Sequence, residues 1–182
     1  MRSTAPLTGV IAAVALAVAI VFVTQSGPGD SWYFAFKSVH VIAAVVWIGG
    51  GMLLVILGVA AEIKRDPAEL ATVARQAALV GERLFAPAGL VVLLMGIAMM
   101  LNTNWGWGKF WVIVGLLGYA ATFITGVAVL SPMARKASRL IAEKGADDPE
   151  TTAHIQRILL VARVDMAVLF LVIVDMVAKP FA

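Results

Sequence analysis

The chain has 182 residues, of which 62% are hydrophobic and 14% are charged. The mean hydropathy is strongly positive and the apolar residues come in long blocks, which is typical of a polytopic membrane protein. The sequence contains no cysteine, which excludes disulfides, thiolate metal sites and covalently attached c-type haem. A net charge of +3 is too small to indicate binding to nucleic acid.

Five segments are apolar enough to cross the ~30 Å hydrocarbon core of a bilayer, which takes about 20 residues per helix. They lie at roughly 7–24, 32–61, 85–101, 109–130 and 156–178. We therefore predict an all-α membrane bundle of five transmembrane helices. In this prediction, residues 1–30 form an N-terminal helix with an outer loop, and residues 31–182 form a four-helix core. The first segment can also be interpreted as a cleavable signal peptide, although no Ala-x-Ala cleavage site follows its apolar run.

Lysine and arginine are concentrated in two predicted loops, 62–84 and 131–155. The connections TQSGPGDS and NTNWGWG contain neither residue. By the positive-inside rule, both basic loops are cytoplasmic. The sequence thus predicts a multi-pass protein of the inner (cell) membrane, with its N-terminus in the cytoplasm and its C-terminus outside.

Helix signals occur within both basic loops. Asp66 and Asp148 are each followed by proline, as at a capped helix start, and Ser131 also precedes a proline. Gly145 is a predicted stop. Apolar residues at helical spacing after residue 66 indicate an amphipathic helix at the membrane surface. An aromatic belt is predicted at the opposite boundary, from Trp32, Tyr33, Trp105, Trp107 and Trp111.

His40 is the ionisable residue that lies deepest in the second predicted span, and transfer of such a residue into the hydrocarbon core costs free energy. Counting ~1.5 Å per residue from Trp32 places it roughly 12 Å inside. Lys37 and Ala44 share its helical face. Two interpretations follow: a hydrogen bond between closely packed helices, or a ligand to a cofactor. Lys37 can also extend its ammonium group to the interface, and the other histidine, His154, is expected to be solvated.

Tyr119 lies on a face of glycines and threonines in the fourth predicted span, and this face should point into the bundle. Its predicted depth, roughly 15 Å, is close to that of His40. The hydroxyl can donate to His40, to a ligand or to the backbone of another helix.

The fifth predicted span contains acidic residues that need partners. Asp165 is expected to meet Arg83 or Arg157, or to stay protonated. Asp175 and Lys179 are four residues apart, so an ion pair at the interface is predicted.

Four segments resemble the helices of HemJ-type protoporphyrinogen oxidases. FKSVHVIAAVVWIGG is similar to the first conserved helix of that family, with a lysine and a histidine three residues apart before an apolar run. APAGLVVLLMG and NWGWGKFWVIVGLLGY resemble its central pair, and RVDMAVLFLVIVDMVAKPF resembles its last helix. The His-apolar-Trp-Gly-Gly pattern is also similar to CopD-type copper-resistance proteins and to an uncharacterised family of predicted integral membrane proteins.

The HemJ resemblance implies one b-type haem with His40 as the metal ligand. Lys37 or Lys109 would meet a propionate or an anionic substrate, and Tyr119 would orient the ring, so Lys109 and Tyr119 are the candidate catalytic residues. A porphyrin-type substrate and a quinone acceptor are the implied small molecules. Two features depart from the family: MLLVILGVAAEIKRD lacks its basic, histidine-containing pattern, and Tyr119 is followed by two alanines instead of a histidine.

Three hypotheses therefore stand together. The first is a haem-dependent oxidoreductase in the membrane. The second is a CopD-like copper or small-solute transporter, with His40 and the thioethers of Met99 or Met100 as soft ligands. The third is a non-enzymatic membrane subunit whose polar residues only pack helices. All three place the chain in a lipid bilayer without nucleic acid, and all three leave a homo-oligomer open.

Overall fold

The computed structural model describes residues 31–103 and 105–181, and every regular element among them is helical. Four continuous helices cover 31–64 (α1), 67–103 (α2), 110–144 (α3) and Pro149–Ala178 (α4). The first three each contain one π-helical segment. The parts of α1 are Ser31–Ala44, the π segment Val45–Gly49 (π1) and Gly50–Lys64. The parts of α2 are Pro67–Val80, the π segment Gly81–Phe85 (π2) and Ala86–Thr103. The parts of α3 are Phe110–Ile124, the π segment Thr125–Leu130 (π3) and Ser131–Lys144. The all-α prediction is confirmed for these residues.

Three of the described helices, α1, α2 and α3, are long and apolar enough to cross a membrane. They contain the predicted spans at 32–61 and 85–101, and that at 109–130 except for Lys109. The predicted span at 156–178 is helical, but Arg163, Asp165 and Asp175 make α4 too polar to qualify. The prediction at 7–24 lies outside the described residues, so the count of five is not confirmed.

The four helices share one apolar core near the connections 65–66 and 145–148, which we call the basic end. The buried core residues there are Ala61, Leu70, Ala71, Ala74, Ala137, Ile155, Ile158 and Leu159. Burial of apolar surface contributes about 25 cal/mol per Å², so this core holds the four helices together where they are joined.

The two predicted basic loops are mostly helical, because only residues 65–66 and 145–148 lie outside α1 to α4 at this end. The prediction of a separate surface helix after residue 66 is wrong, because this segment is the first part of α2. Its apolar stripe, including Leu70, Val73 and Ala74, is buried. The ends of α1, α3 and α4 extend alongside it, so the stripe packs against helices and not against lipid.

The helix signals of the two connections are confirmed. The carboxylate of Asp66 accepts a hydrogen bond from the backbone N–H of Glu69 at 3.0 Å. The carboxylate of Asp148 accepts from the N–H of Thr151 at 3.1 Å. Such caps are each worth about 1 kcal/mol. Gly145 ends α3 with a φ of +91°, a conformation that glycine adopts without steric cost.

An α-helical part of α3 begins at Ser131 as predicted, but it continues directly from π3 and is not a separate helix. Ser131 does not cap it, because its hydroxyl donates to the carbonyl of Gly126 at 3.0 Å. Proline lacks an N–H and its ring clashes with the carbonyl four residues earlier, which normally breaks a helix. Here π3 directly precedes Ser131 and Pro132, and π2 likewise ends two residues before Pro87. A π turn offers an alternative hydrogen-bond register, so both helices continue past a proline.

Aromatic side chains cluster at the opposite end, which we call the aromatic end. The ring of Trp105 lies 5.7 Å from that of Tyr33 and 5.6 Å from that of Trp111. The ammonium of Lys179 lies 3.8 Å from the centre of the Trp105 ring. The predicted ion pair of Lys179 with Asp175 is therefore wrong, since a cation–π contact holds the lysine instead.

Candidate functional site

His40 lies where α1 packs closely on α2. Its Nδ1 atom is 2.8 Å from the carbonyl oxygen of Val92. A carbonyl only accepts hydrogen bonds, so Nδ1 carries the hydrogen and the neutral ring keeps a lone pair on Nε2. At Gly96, a Cβ would lie 3.4 Å from Cε1 of His40, so the glycine lets the ring approach the α2 backbone. The hydrogen bond agrees with the interpretation that His40 joins two packed helices. It also leaves the Nε2 lone pair free to bind a ligand, so both interpretations of His40 remain open.

Tyr119 also bonds to α2, because its hydroxyl donates to the carbonyl of Gly89 at 3.0 Å. The carbonyls used by Tyr119 and His40 are three residues apart, which is ~4.5 Å along a helix. The two side chains therefore lie at similar levels, as their spacing predicts. The hydroxyl does not donate to His40, so Tyr119 holds α3 against α2.

An aromatic cluster surrounds Tyr119. Its ring stacks on Phe123 with centroids 5.5 Å apart, and the ring of Trp47 meets it edge-on at 5.7 Å. A Cβ at Gly89 would lie 2.9 Å from the Phe123 ring, so this contact between α2 and α3 requires a glycine. The cluster joins α1, α2 and α3. Its Trp47 ring comes from a position on α1 that is closer to the basic end than His40.

The two predicted lysines lie on the surface of the bundle. Lys37 is exposed, with its ammonium 5.7 Å from the Tyr33 ring. Lys109 is exposed at the residue that precedes α3. Within 31–103 and 105–181, no hydrogen bond or ion pair joins either lysine to His40 or Tyr119. The structure thus brings His40 and Tyr119 to one helix and leaves the lysines apart from them.

The described residues contain no group of three or more histidine, aspartate or glutamate side chains that could hold a metal ion. Met100, one of the candidate copper ligands, is buried beside Trp111 and Val112. His154 is not simply solvated, because its Nε2 atom lies 3.0 Å from the carbonyl of Met133. A metal at His40 would therefore need most of its ligands from a cofactor.

The charged residues of α4 do not make the contacts that the sequence predicted. Arg163 forms an ion pair with Glu62 of α1. Asp165 makes no ion pair or hydrogen bond with the described residues, so its predicted pairing with Arg83 or Arg157 is wrong. Its side chain borders a cavity of about 140 Å³ between the four helices. None of the predicted site residues lines this cavity.

Sequence reasoning missed both the cavity and the Arg163–Glu62 pair. The cavity had one signal, the two prolines Pro87 and Pro132 inside otherwise helical runs. These prolines mark π2 and π3, and residues of both segments line the cavity. The ion pair had no comparable signal, because its partners are 101 residues apart.

A family model described as a predicted integral membrane protein (DUF2269) matches residues 34–180. No curated protein and no solved structure matches the chain. The match confirms the resemblance to an uncharacterised membrane family, whereas the HemJ and CopD relationships stay predictions. Because the match covers most of the chain, this protein belongs to the DUF2269 family of predicted integral membrane proteins.

Proposed function

We propose that this membrane protein binds one b-type haem through the Nε2 atom of His40 and takes part in redox chemistry. The observation that carries the proposal is the hydrogen bond from Nδ1 of His40 to the Val92 carbonyl. Metal-ligating histidines usually donate their other ring N–H to a carbonyl or carboxylate, which fixes the tautomer and raises the basicity of the ligating nitrogen. A neutral imidazole such as that of His40 is a common axial ligand of haem iron. Bound haem would supply a one-electron redox couple.

The other candidate residues have supporting roles in this proposal. Lys37 lies three residues, or ~4.5 Å, further toward the aromatic end than His40 and would pair with a carboxylate of the cofactor. Lys109, exposed at the same end, would attract an anionic substrate such as a porphyrinogen. Tyr119 is a positioning residue, since its hydroxyl hydrogen is committed to Gly89. A quinone in the bilayer is the proposed electron acceptor.

The arrangement of α4 supports a core of four membrane-crossing helices. Near the aromatic end α4 packs on glycines of α3, where a Cβ at Gly118 would lie 2.4 Å from Val172. Its charges face other helices, with Arg163 paired to Glu62 and Asp165 at the cavity. Ionisable residues inside membranes are tolerated in such interior positions. In the proposed orientation, the basic end lies in the cytoplasm of the inner membrane.

This orientation can be tested by cysteine labelling, because the chain has no cysteine of its own. Asp147→Cys at the basic end should react with an impermeant maleimide only after cells are opened. Trp107→Cys at the aromatic end should react in intact cells. The reverse pattern would overturn the proposed orientation.

Haem binding is tested by the dithionite-reduced minus oxidised spectrum of detergent-purified protein from cells with ample haem supply. We expect a Soret band and a sharp α-band that are absent in His40→Ala. The matched control is His154→Ala, which removes the other histidine and should leave the spectrum unchanged. A colourless wild type, or bands that persist in His40→Ala, would refute the proposal. Copper in elemental analysis of a colourless protein would favour the CopD-like alternative.

A further inference from the structure

The cavity of about 140 Å³ is a second place where this chain can bind a small molecule. It lies between all four helices, on the basic-end side of His40. Trp47, which lines it, is seven residues and ~10 Å further along α1 than His40. An engineered apolar cavity of ~150 Å³ binds benzene, so this volume accommodates a ligand of that size.

The cavity coincides with the three π segments. Trp47 belongs to π1, Phe85 to π2 and Gly126 to π3, and all three line it. A π turn widens a helix locally and changes the direction of its side chains, and such turns are frequent at functional sites. One π turn from each of three helices therefore contributes aromatic or small residues to the lining of this cavity.

Asp165 is the only ionisable side chain among the described residues that line the cavity. The other polar lining groups are already used: the Thr122 hydroxyl donates to the Tyr119 carbonyl at 3.0 Å, and the Ser131 hydroxyl donates to Gly126. The nearest cation along α4, Arg163, is paired with Glu62. Asp165 therefore offers a carboxylate to the cavity without a partner among the described residues.

We propose that the cavity binds a small organic cation, an apolar amine about the size of benzene. A carboxylate in an apolar site needs a compensating positive charge or proton, and an ammonium group supplies the charge and hydrogen-bond donors. The rings of Trp47, Phe85 and Phe123 line the same space and suit both the apolar body and the cationic group. The proposal is independent of haem binding, because His40 does not line the cavity.

The test compares benzylamine with benzyl alcohol, a neutral ligand of the same shape, by calorimetric titration into the full-length protein in detergent. Both ligands can donate a hydrogen bond to the Asp165 carboxylate, but only the ammonium also compensates its negative charge, so the amine should bind at least about tenfold more tightly than the alcohol. This preference should disappear in Asp165→Asn. It should persist in Asp175→Asn, which neutralises a buried aspartate of α4 that does not line the cavity.

A second variant tests the location of the site. A Cβ at Gly126 would meet no atom within 4 Å, so Gly126→Leu should fill the cavity and weaken both ligands. His40→Ala should change neither affinity, which separates this result from the outcome for haem. Equal affinities in the wild type, or no binding of either ligand above a detergent blank, would overturn the proposal. So would an amine preference that survives Asp165→Asn, or amine binding that survives Gly126→Leu.

Discussion

Gly58 of α1 is the position where a single methyl group should change stability most clearly. It is buried against α4, and a Cβ there would lie 2.4 Å from Cδ2 of Leu159. The same Cβ would lie 3.3 Å from Cδ1 and 3.5 Å from Cγ, so rotating the leucine would replace one close methyl with the other. Leu159 is itself buried in the basic-end core. The Gly58→Ala substitution therefore forces α1 and α4 apart.

Two opposing terms set the expected magnitude. Alanine is better than glycine in a helix interior by about 1 kcal/mol. Overpacking a core costs about 1–3 kcal/mol, and a separation of 2.4 Å is far below the ~3.5–4.0 Å optimum for carbon atoms, which favours the upper part of that range. We expect a net loss of about 1–2 kcal/mol. For a chain of this length, that lowers the midpoint of thermal unfolding by about 2–8 °C.

Thermal unfolding in detergent, followed by tryptophan fluorescence, measures the effect. Gly49→Ala is the matched control, because Gly49 is exposed on the same helix and a Cβ there would meet nothing within 4 Å. This control should be as stable as the wild type or more so. A Gly58→Ala midpoint equal to that of Gly49→Ala would refute the reasoning. In a Leu159→Ala background, which removes the clashing methyls, Gly58→Ala should no longer destabilise.

Two further substitutions test the contacts between helices. Tyr119→Phe removes the hydrogen bond to Gly89 and should cost about 0.5–1.5 kcal/mol in thermal unfolding, while ring packing is retained; an unchanged midpoint would show that the hydroxyl does not hold α2 and α3 together. Glu62→Gln removes the negative charge that pairs with the partly buried Arg163 and should cost about 1–3 kcal/mol, between the values for exposed and buried pairs. Arg163→Gln should lower the free energy of unfolding less in the Glu62→Gln variant than in the wild type. If the losses from the two substitutions simply add in the double variant, the pairing is contradicted.

The prediction of a surface helix after residue 66 failed for a specific physical reason. An apolar stripe at helical spacing is satisfied equally by lipid or by another helix. The stripe of Leu70, Val73 and Ala74 predicts burial, but the sequence does not say what covers it. The covering surface comes from the ends of α1, α3 and α4, and core residues such as Ala137 of α3 and Ile155 of α4 lie more than 60 positions away.

The same limit applies to the ionisable residues. The cost of Asp165 in a membrane can be read from the sequence, and so can its need for an interior position. Its candidate partners Arg83 and Arg157 were chosen by their position along the chain. The structure instead places Asp165 at the cavity and gives Arg163 the carboxylate of Glu62, because the directions of helical side chains depend on how α1 and α4 pack.

The sequence by itself determined the apolar helices, their capped starts at Asp66 and Asp148, the stop at Gly145 and the membrane family. These features depend on residues close together in the chain, through hydrophobic length, local hydrogen bonds and backbone freedom. Only the tertiary structure decided that His40 bonds to α2, that the helix after residue 66 packs inside a bundle, and that three π segments surround a cavity. Those features depend on which distant surfaces meet, and many apolar faces of similar composition compete for that choice.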